Sequence, residues 1–188
     1  MVVLVAYFAS KSTPSTPATQ PGPGTQTGQA PAAPVKTDAG VVTPAGVVAA
    51  TGTSPIATSG LVVTAEGKPV KLDVTPGTPQ APQQSNPITK PADLPSKAIK
   101  LSISSAGWSP KEFTVSSGAA ITVAVTATDN QTHVFKFDDP SLDAVAVGIG
   151  PGETRAITFN APKAGTYKFH CDVPGHSGRG ETGDMVVK

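Results

Sequence analysis

From residue 97 onward, apolar and polar residues alternate in short runs that Gly, Pro, Asn and Asp interrupt. Runs of this kind predict β-strands, and several of them at regular spacing favour a sandwich or a barrel. The predicted strands lie at 97–103, 112–115, 120–128, 133–137, 144–147, 154–160, 166–171 and 184–188. The pattern therefore predicts an all-β domain of about seven to eight strands without a substantial helix.

The same alternation predicts which side chains face the core, because successive side chains of a strand point to opposite faces. In the strand at 133–137 it turns His133 inward together with its apolar neighbours. In the strand at 166–171 it turns Cys171 inward and His170 outward. Two side chains that can bind a metal are thus expected at strand ends, on the apolar side of the sheet.

The composition changes near residue 95. Residues 1–95 contain most of the 20 prolines, are rich in Thr, Ala, Gly and Ser, and have only two aromatic residues. Such a segment buries too little apolar surface to offset the entropy of ordering the chain. We therefore predict one folded domain at 96–188 and a mostly disordered low-complexity linker at 10–95. Within that linker, residues 61–74 alternate enough to suggest a small hairpin.

Residues 1–9 are apolar but too few to span a bilayer. They also lack the basic flank of a signal peptide. We interpret them as a possible remnant of an export signal or anchor that starts upstream, the alternative being a plain hydrophobic N-terminus. The Pro/Thr/Ala-rich stalk that follows favours the first interpretation, hence an extracytoplasmic location and a possible membrane tether.

The net charge of +1 implies no strongly charged partner and no nucleic-acid surface. The single cysteine excludes an internal disulfide, so Cys171 is a small buried residue, a reactive thiol or a metal ligand. His176 follows Cys171 after the four residues DVPG, in which Pro-Gly predicts a tight turn. A thiolate with two imidazoles suits copper, and such a set with a weak axial ligand is the blue-copper arrangement.

Several stretches carry a resemblance to a known family. They are TH at 132–133, PGET at 151–154, APKAGTYKFHCDVPGH at 161–176 and GETGDMVVK at 180–188. From about residue 97 to the end, the chain resembles the small cupredoxins of the plastocyanin and azurin type. The resemblance implies a Greek-key β-sandwich, one copper per chain, electron transfer with redox partner proteins, and a monomeric domain.

The sequence departs from this family at the axial ligand. Family members commonly have methionine five residues after the second histidine, where this chain has Glu181. Met185 instead falls on an inward position of the last strand, so Glu181 is the axial candidate and Met185 the alternative. A carboxylate favours Cu(II) and lowers the reduction potential, and it also makes Zn(II) a plausible occupant.

A second departure follows the first histidine ligand. Many relatives have a polar residue there that braces the ligand loops, whereas this chain has Val134. The backbone N–H of Val134 can still bond the sulfur of Cys171. Without this side-chain brace, either the ligand loops are less rigid than in those relatives, or Asp172 or Thr132 supplies the brace.

Three functions compete. The first is an extracytoplasmic electron carrier that is not an enzyme, with His133, Cys171 and His176 as ligands. In this function His170 is an electron port, the alternative being an ordinary surface histidine. The second is a module that binds or delivers copper or zinc without a redox role. The third and weakest is an open copper site for a small molecule. The chain has three histidines, so only His170 is left for a second, histidine-rich copper site of the kind that copper oxidases need.

Overall fold

A computed structural model describes residues 52–188. The expectations for 1–9 and for the linker before residue 52 lie outside these residues. Two sheets form the fold, and their nine strands are β1 (Ile99–Ser104), β2 (Gly107–Ser109), β3 (Glu112–Val115), β4 (Ala120–Ala127), β5 (His133–Phe137), β6 (Ala146–Ile149), β7 (Thr154–Asn160), β8 (Gly165–Cys171) and β9 (Thr182–Val187). The described part contains three helical segments, all single 3₁₀ turns, at Pro91–Asp93, Pro140–Leu142 and Ser177–Arg179. Within residues 52–188, no helix has the length and apolar character needed to cross a membrane.

The four-stranded sheet has the order β2-β1-β4-β7, and the five-stranded sheet has the order β3-β9-β8-β5-β6. Strand β1 runs parallel to β4, and β3 runs parallel to β9, whereas the other pairs are antiparallel. The expected all-β sandwich is confirmed. The additional strand is β2, whose three residues are too few for alternation to reveal, and β6 lies two residues later than expected.

Aromatic side chains fill the space between the sheets. Phe135 of β5 and Phe169 of β8 are fully buried, and both meet the ring of Trp108 nearly at right angles, with ring centroids 5.6 and 5.3 Å apart. Edge-to-face contacts of this kind add to the stabilisation from burial alone. His133 and Cys171 also face inward and are 0% and 1% exposed, as the alternation predicted. These two polar groups therefore lie at one end of a rigid aromatic core.

The segment at 52–95 differs from the disordered linker that composition predicted. Of the small hairpin suggested at 61–74, the structure shows one isolated antiparallel bridge, between Val63 and Pro69, and no regular strands. Farther along, Ser85 N–H donates to the Ala156 carbonyl at 2.7 Å, and Ala156 N–H donates to Ser85 Oγ at 2.8 Å. Ala156 belongs to β7, an edge strand of its sheet. An edge strand needs partners for its backbone groups, and this segment supplies them.

Candidate metal centre

Two neighbouring strands bring the first pair of candidate ligands together. Strands β5 and β8 are antiparallel and place Phe135 opposite Cys171. His133 at the start of β5 and Cys171 at the end of β8 therefore lie at the same end of the sheet. The backbone N–H of Cys171 donates to the carbonyl of Glu181 at 3.0 Å, which attaches the residue just before β9 to this end as well.

The loop after β8 brings His176 and Glu181 to the same end of the sheet. His176 N–H donates to the Val173 carbonyl at 3.0 Å, which closes a turn around Pro174 and Gly175. Gly175 has φ 84°, a conformation that a type II turn requires at its third residue and that glycine adopts without strain. The expected Pro-Gly turn is thus present, and Glu181 N–H then reaches the carbonyl of His176 at 3.4 Å.

His133, Cys171, His176 and Glu181 form one cluster, in which one ligand-capable atom from each residue lies within 4.8 Å of the other three. Glu181 Oε2 is 3.0 Å from His133 Nδ1 and 3.1 Å from His176 Nδ1. Cys171 Sγ is 3.7 Å from the first of these nitrogens and 3.5 Å from the second. Bonds of about 2.0 Å to nitrogen or oxygen and about 2.3 Å to sulfur separate tetrahedral donors by about 3.3 to 3.5 Å. The four residues therefore fit a single metal ion.

The cluster lies just beneath the surface. The side chains of His133 and Glu181 are fully buried, and that of His176 is 12% exposed. Burial raises the pKa of the Cys171 thiol, and the nearby Glu181 carboxylate adds to this effect. Burial also acts to raise the pKa of Glu181, but hydrogen bonds from Arg179, Cys171 and His133 outweigh it and lower that pKa. A buried carboxylate beside a thiol and two imidazoles is an environment that a bound cation stabilises.

Asp129 supplies the outer contact to the first histidine. Its Oδ1 lies 3.0 Å from His133 Nε2, which leaves Nδ1 directed into the cluster. Burial acts to raise the pKa of Asp129, but hydrogen bonds from His133 and from the backbone of Ser105 and Gln131 outweigh it and lower the pKa to about 2. A carboxylate on the outer nitrogen is the usual way to orient a metal-binding histidine.

The contact between Asp129 and His133 was not predicted from the sequence, which offered Asp172 or Thr132 as a brace of the ligand loops. Asp172 instead lies 3.3 Å from His170 Nε2, on the outer face. The one sign of this contact in the sequence was the aspartate four residues before His133, in a loop for which we predicted no role. The expected bond from Val134 N–H to the sulfur of Cys171 is present at 3.3 Å.

Met185 lies away from the cluster. It is fully buried and opposes Tyr167 of β8, four residues before Cys171. At about 3.3 Å of rise per residue, this register separates the two positions by about 13 Å along the strand. The strand register therefore places the Met185 side chain in the core and outside the four-residue cluster.

His170 faces outward, as expected, and does not join the cluster. Its Nδ1 bonds Asp138, its Nε2 faces Asp172, and the side chain is 20% exposed. His170 is therefore a candidate for contact with a partner protein and not for binding the metal.

The comparisons with known proteins agree with this geometry. A family model described as a cupredoxin-like domain matches residues 83–187, more than half of the chain. The chain belongs to the cupredoxin-like family. The match begins within the segment that composition assigned to the linker, which agrees with the contacts of Ser85.

Solved blue-copper proteins resemble this cupredoxin. Auracyanin of Roseiflexus castenholzii, in a dithionite-reduced structure, is 29% identical, with 50% of this chain and 98% of that chain covered and a TM-score of 0.44. Auracyanin A of Chloroflexus aurantiacus, described as a "blue" copper protein, is 26% identical over 48% of this chain and 98% of its own, with a TM-score of 0.40. A Cu(I) form of an amicyanin variant is 22% identical over 52% and 88%, with a TM-score of 0.39. Among curated proteins, none matches.

Copper is the cofactor of this family, and the donor set suits it. The cluster offers one soft sulfur and two imidazole nitrogens, a combination that binds both oxidation states of copper. The His, Cys, His and Glu group therefore suggests a blue-copper type of site.

Proposed function

We propose that this cupredoxin is an electron carrier that holds one copper ion through His133, Cys171, His176 and Glu181. The observation that carries the proposal is the buried four-residue cluster, whose ligand-capable atoms converge within 4.8 Å at one end of the sandwich. His133 and His176 would each hold the ion through a ring nitrogen, Cys171 through its sulfur, and Glu181 through a carboxylate oxygen. Bound copper would provide a one-electron couple between Cu(I) and Cu(II).

The protein's own contribution is to hold the ligands in one arrangement. Strand pairing fixes His133 and Cys171, the Pro174–Gly175 turn fixes His176, and the hydrogen bond from Val134 N–H holds the sulfur. Because these groups are placed by backbone hydrogen bonds and a packed core, they have little freedom to rearrange when the charge at the site changes. A site that needs little rearrangement suits rapid electron transfer in both directions.

His176 is the part of the cluster that reaches solvent, at 12% side-chain exposure. Electron exchange with a partner protein therefore proceeds most directly across the surface around His176. His170 offers a second route, from the residue next to Cys171 to the outer face of the strand.

The test is a visible spectrum of the full chain loaded with one equivalent of Cu(II). We expect an intense thiolate-to-copper band that disappears in Cys171→Ser and His176→Gln. His170→Gln is the matched control and should keep the band, because that ring lies outside the cluster. A Glu181→Met variant should shift the band if the carboxylate is the axial ligand.

The outcome that would contradict the proposal is a wild-type protein without a visible band that binds one equivalent of Zn(II) instead. That result would favour the second candidate, a module that binds or delivers metal without a redox role. The fully buried carboxylate of Glu181 is the observation that favours this alternative, because Cys, His and carboxylate together form an accepted zinc set. Repeated reduction and reoxidation without loss of copper separates the two functions.

The remaining parts of the proposal follow from the sequence. An extracytoplasmic location agrees with the Pro/Thr/Ala-rich stretch between the apolar residues 1–9 and the folded part. We expect a carrier without an enzymatic reaction of its own, because His170 alone is left to build a second copper site. An open site for a small molecule is disfavoured by the burial of three of the four cluster residues.

A further inference from the structure

We propose that Arg179 is a positioning residue of this centre, which turns Glu181 so that a single carboxylate oxygen faces the other three ligands. We further infer that Gln131 holds Arg179 in this position. The inference rests on the proposed function, since it assigns how the axial carboxylate is presented to the metal.

The two oxygens of Glu181 have different partners. Arg179 donates to Oε1 twice, from Nε at 3.0 Å and from Nη2 at 2.7 Å. Oε2 faces Nδ1 of His133 at 3.0 Å and Nδ1 of His176 at 3.1 Å. Both charge-assisted bonds go to one oxygen, so they anchor Oε1 on the guanidinium and leave Oε2 to face the cluster. Glu181 is therefore arranged as a one-oxygen donor.

The backbone at Gly180 makes this contact possible. Side chains two positions apart do not face each other along a regular helix. Arg179 ends the 3₁₀ turn, and Gly180 adopts φ 95°, in the left-handed region that favours glycine. The chain reverses there, so the side chains on either side of the glycine converge.

Gln131 completes the arrangement from another loop. Its Oε1 accepts from Arg179 Nη2 at 2.8 Å, and its backbone N–H donates to Asp129 Oδ1 at 3.1 Å. That same oxygen of Asp129 faces His133 Nε2. The loop between β4 and β5 thus supports both the first histidine ligand and the arginine that orients the axial carboxylate.

A charge count gives the expected effect. A thiolate from Cys171 and the carboxylate of Glu181 carry two negative charges, which balance Cu(II) but leave one negative charge with Cu(I). An uncompensated buried charge is unfavourable, and the guanidinium of Arg179 offsets it. Arg179 is therefore expected to favour the reduced state, opposing the preference for Cu(II) that a carboxylate ligand brings.

The experiment compares copper-loaded full-length wild type with Arg179→Met, using the visible band and a redox titration. Loss of a charge-assisted hydrogen bond should lower the Cu(I)/Cu(II) ratio at fixed potential about tenfold. For a one-electron couple that is a downward shift of about 59 mV. The band should shift as well, because both carboxylate oxygens become available. Arg179→Lys should recover part of the potential through its charge but not the wild-type band, because it lacks the fork.

Arg155→Met is the matched control. Arg155 Nε donates to Glu153 Oε2 at 2.9 Å, so the variant also removes an arginine from a pair with a glutamate two residues away. Its band and potential should equal those of wild type. Gln131→Leu keeps every proposed ligand and the Arg179 charge, and it should shift both readouts in the same direction by a smaller amount, even if Arg179→Met does not fold.

The outcomes are distinguishable. If wild type shows the thiolate-to-copper band and folded Arg179→Met has the same band and the same potential, this inference is overturned and the proposed function stays intact. If Arg179→Met does not fold, unchanged readouts in Gln131→Leu would overturn it. Absence of a thiolate-to-copper band in wild type would overturn the proposed function and this inference with it.

Discussion

Replacing Gly183 with alanine should disturb both the core and the position of the axial carboxylate. Gly183 is the second residue of β9, two positions after Glu181, and it lies opposite Phe169 of β8. A Cβ placed on Gly183 would lie 2.5 Å from the carbonyl oxygen of Lys111 and closer still to Cζ of Phe169. The strand pair and the ring above it leave no space for a methyl group.

The magnitude follows from what would have to move. The Lys111 carbonyl already accepts from Asp184 N–H at 2.8 Å, so its displacement weakens a strand contact. Phe169 is fully buried between Trp108 and Phe135, so its ring has no free direction. Overpacking of this kind costs about 1 to 3 kcal/mol of stability. Because two close contacts arise at once, we expect Gly183→Ala to lower the free energy of unfolding by about 3 kcal/mol. For a folded part of roughly 140 residues, that is a fall of about 10 °C in the melting temperature.

The assay is thermal unfolding of the metal-free full chain, followed by far-ultraviolet circular dichroism. Gly148→Ala is the matched control, because Gly148 lies in β6 and a Cβ there would have no neighbour within 4 Å. That control should change stability by less than about 1 kcal/mol. A melting temperature for Gly183→Ala within a degree or two of the control would refute the reasoning. In the copper-loaded protein, the same variant should also shift the visible band by displacing Glu181.

Three further outcomes are expected. Asp129→Asn should weaken copper binding about 10- to 100-fold in a chelator competition, because the charged partner of His133 Nε2 is lost; unchanged affinity would remove Asp129 from the site. Met185→Leu should cost less than about 1.5 kcal/mol in a urea titration and leave the visible band intact, since Met185 is core; a lost band would return it to the metal. Ser85→Ala should lower the stability of the fold by about 1 to 3 kcal/mol, because the buried Ala156 N–H loses its acceptor, and it should leave the visible band unchanged. Unchanged stability would contradict the role of the segment at 52–95 in covering β7.

The alternation of apolar and polar residues was sufficient to predict most of the strands. Strands β3, β5 and β7 have the predicted bounds, because a period of two is imposed by backbone geometry and shows in any half-buried strand. The three-residue β2 was missed because three residues are too few for the alternation to repeat. The segment at 52–95 was predicted to be part of a linker because it is poor in large apolar residues. In the structure it bonds β7 through backbone groups, and composition does not reveal such contacts.

The sequence by itself determined the β-sandwich and brought His133, Cys171 and His176 forward as one set. Alternation placed His133 and Cys171 on the inward side at strand ends, a short Pro-Gly turn added His176, and the resemblance to cupredoxins joined the three into one set. The inward position of Met185 was predicted from the last strand, but only the tertiary structure showed that Asp129 contacts His133 Nε2 and that Arg179 bonds both Glu181 and Gln131. The physical reason is separation along the chain. Gln131 and Arg179 are 48 positions apart, and such contacts depend on how two loops meet once the sheets have formed.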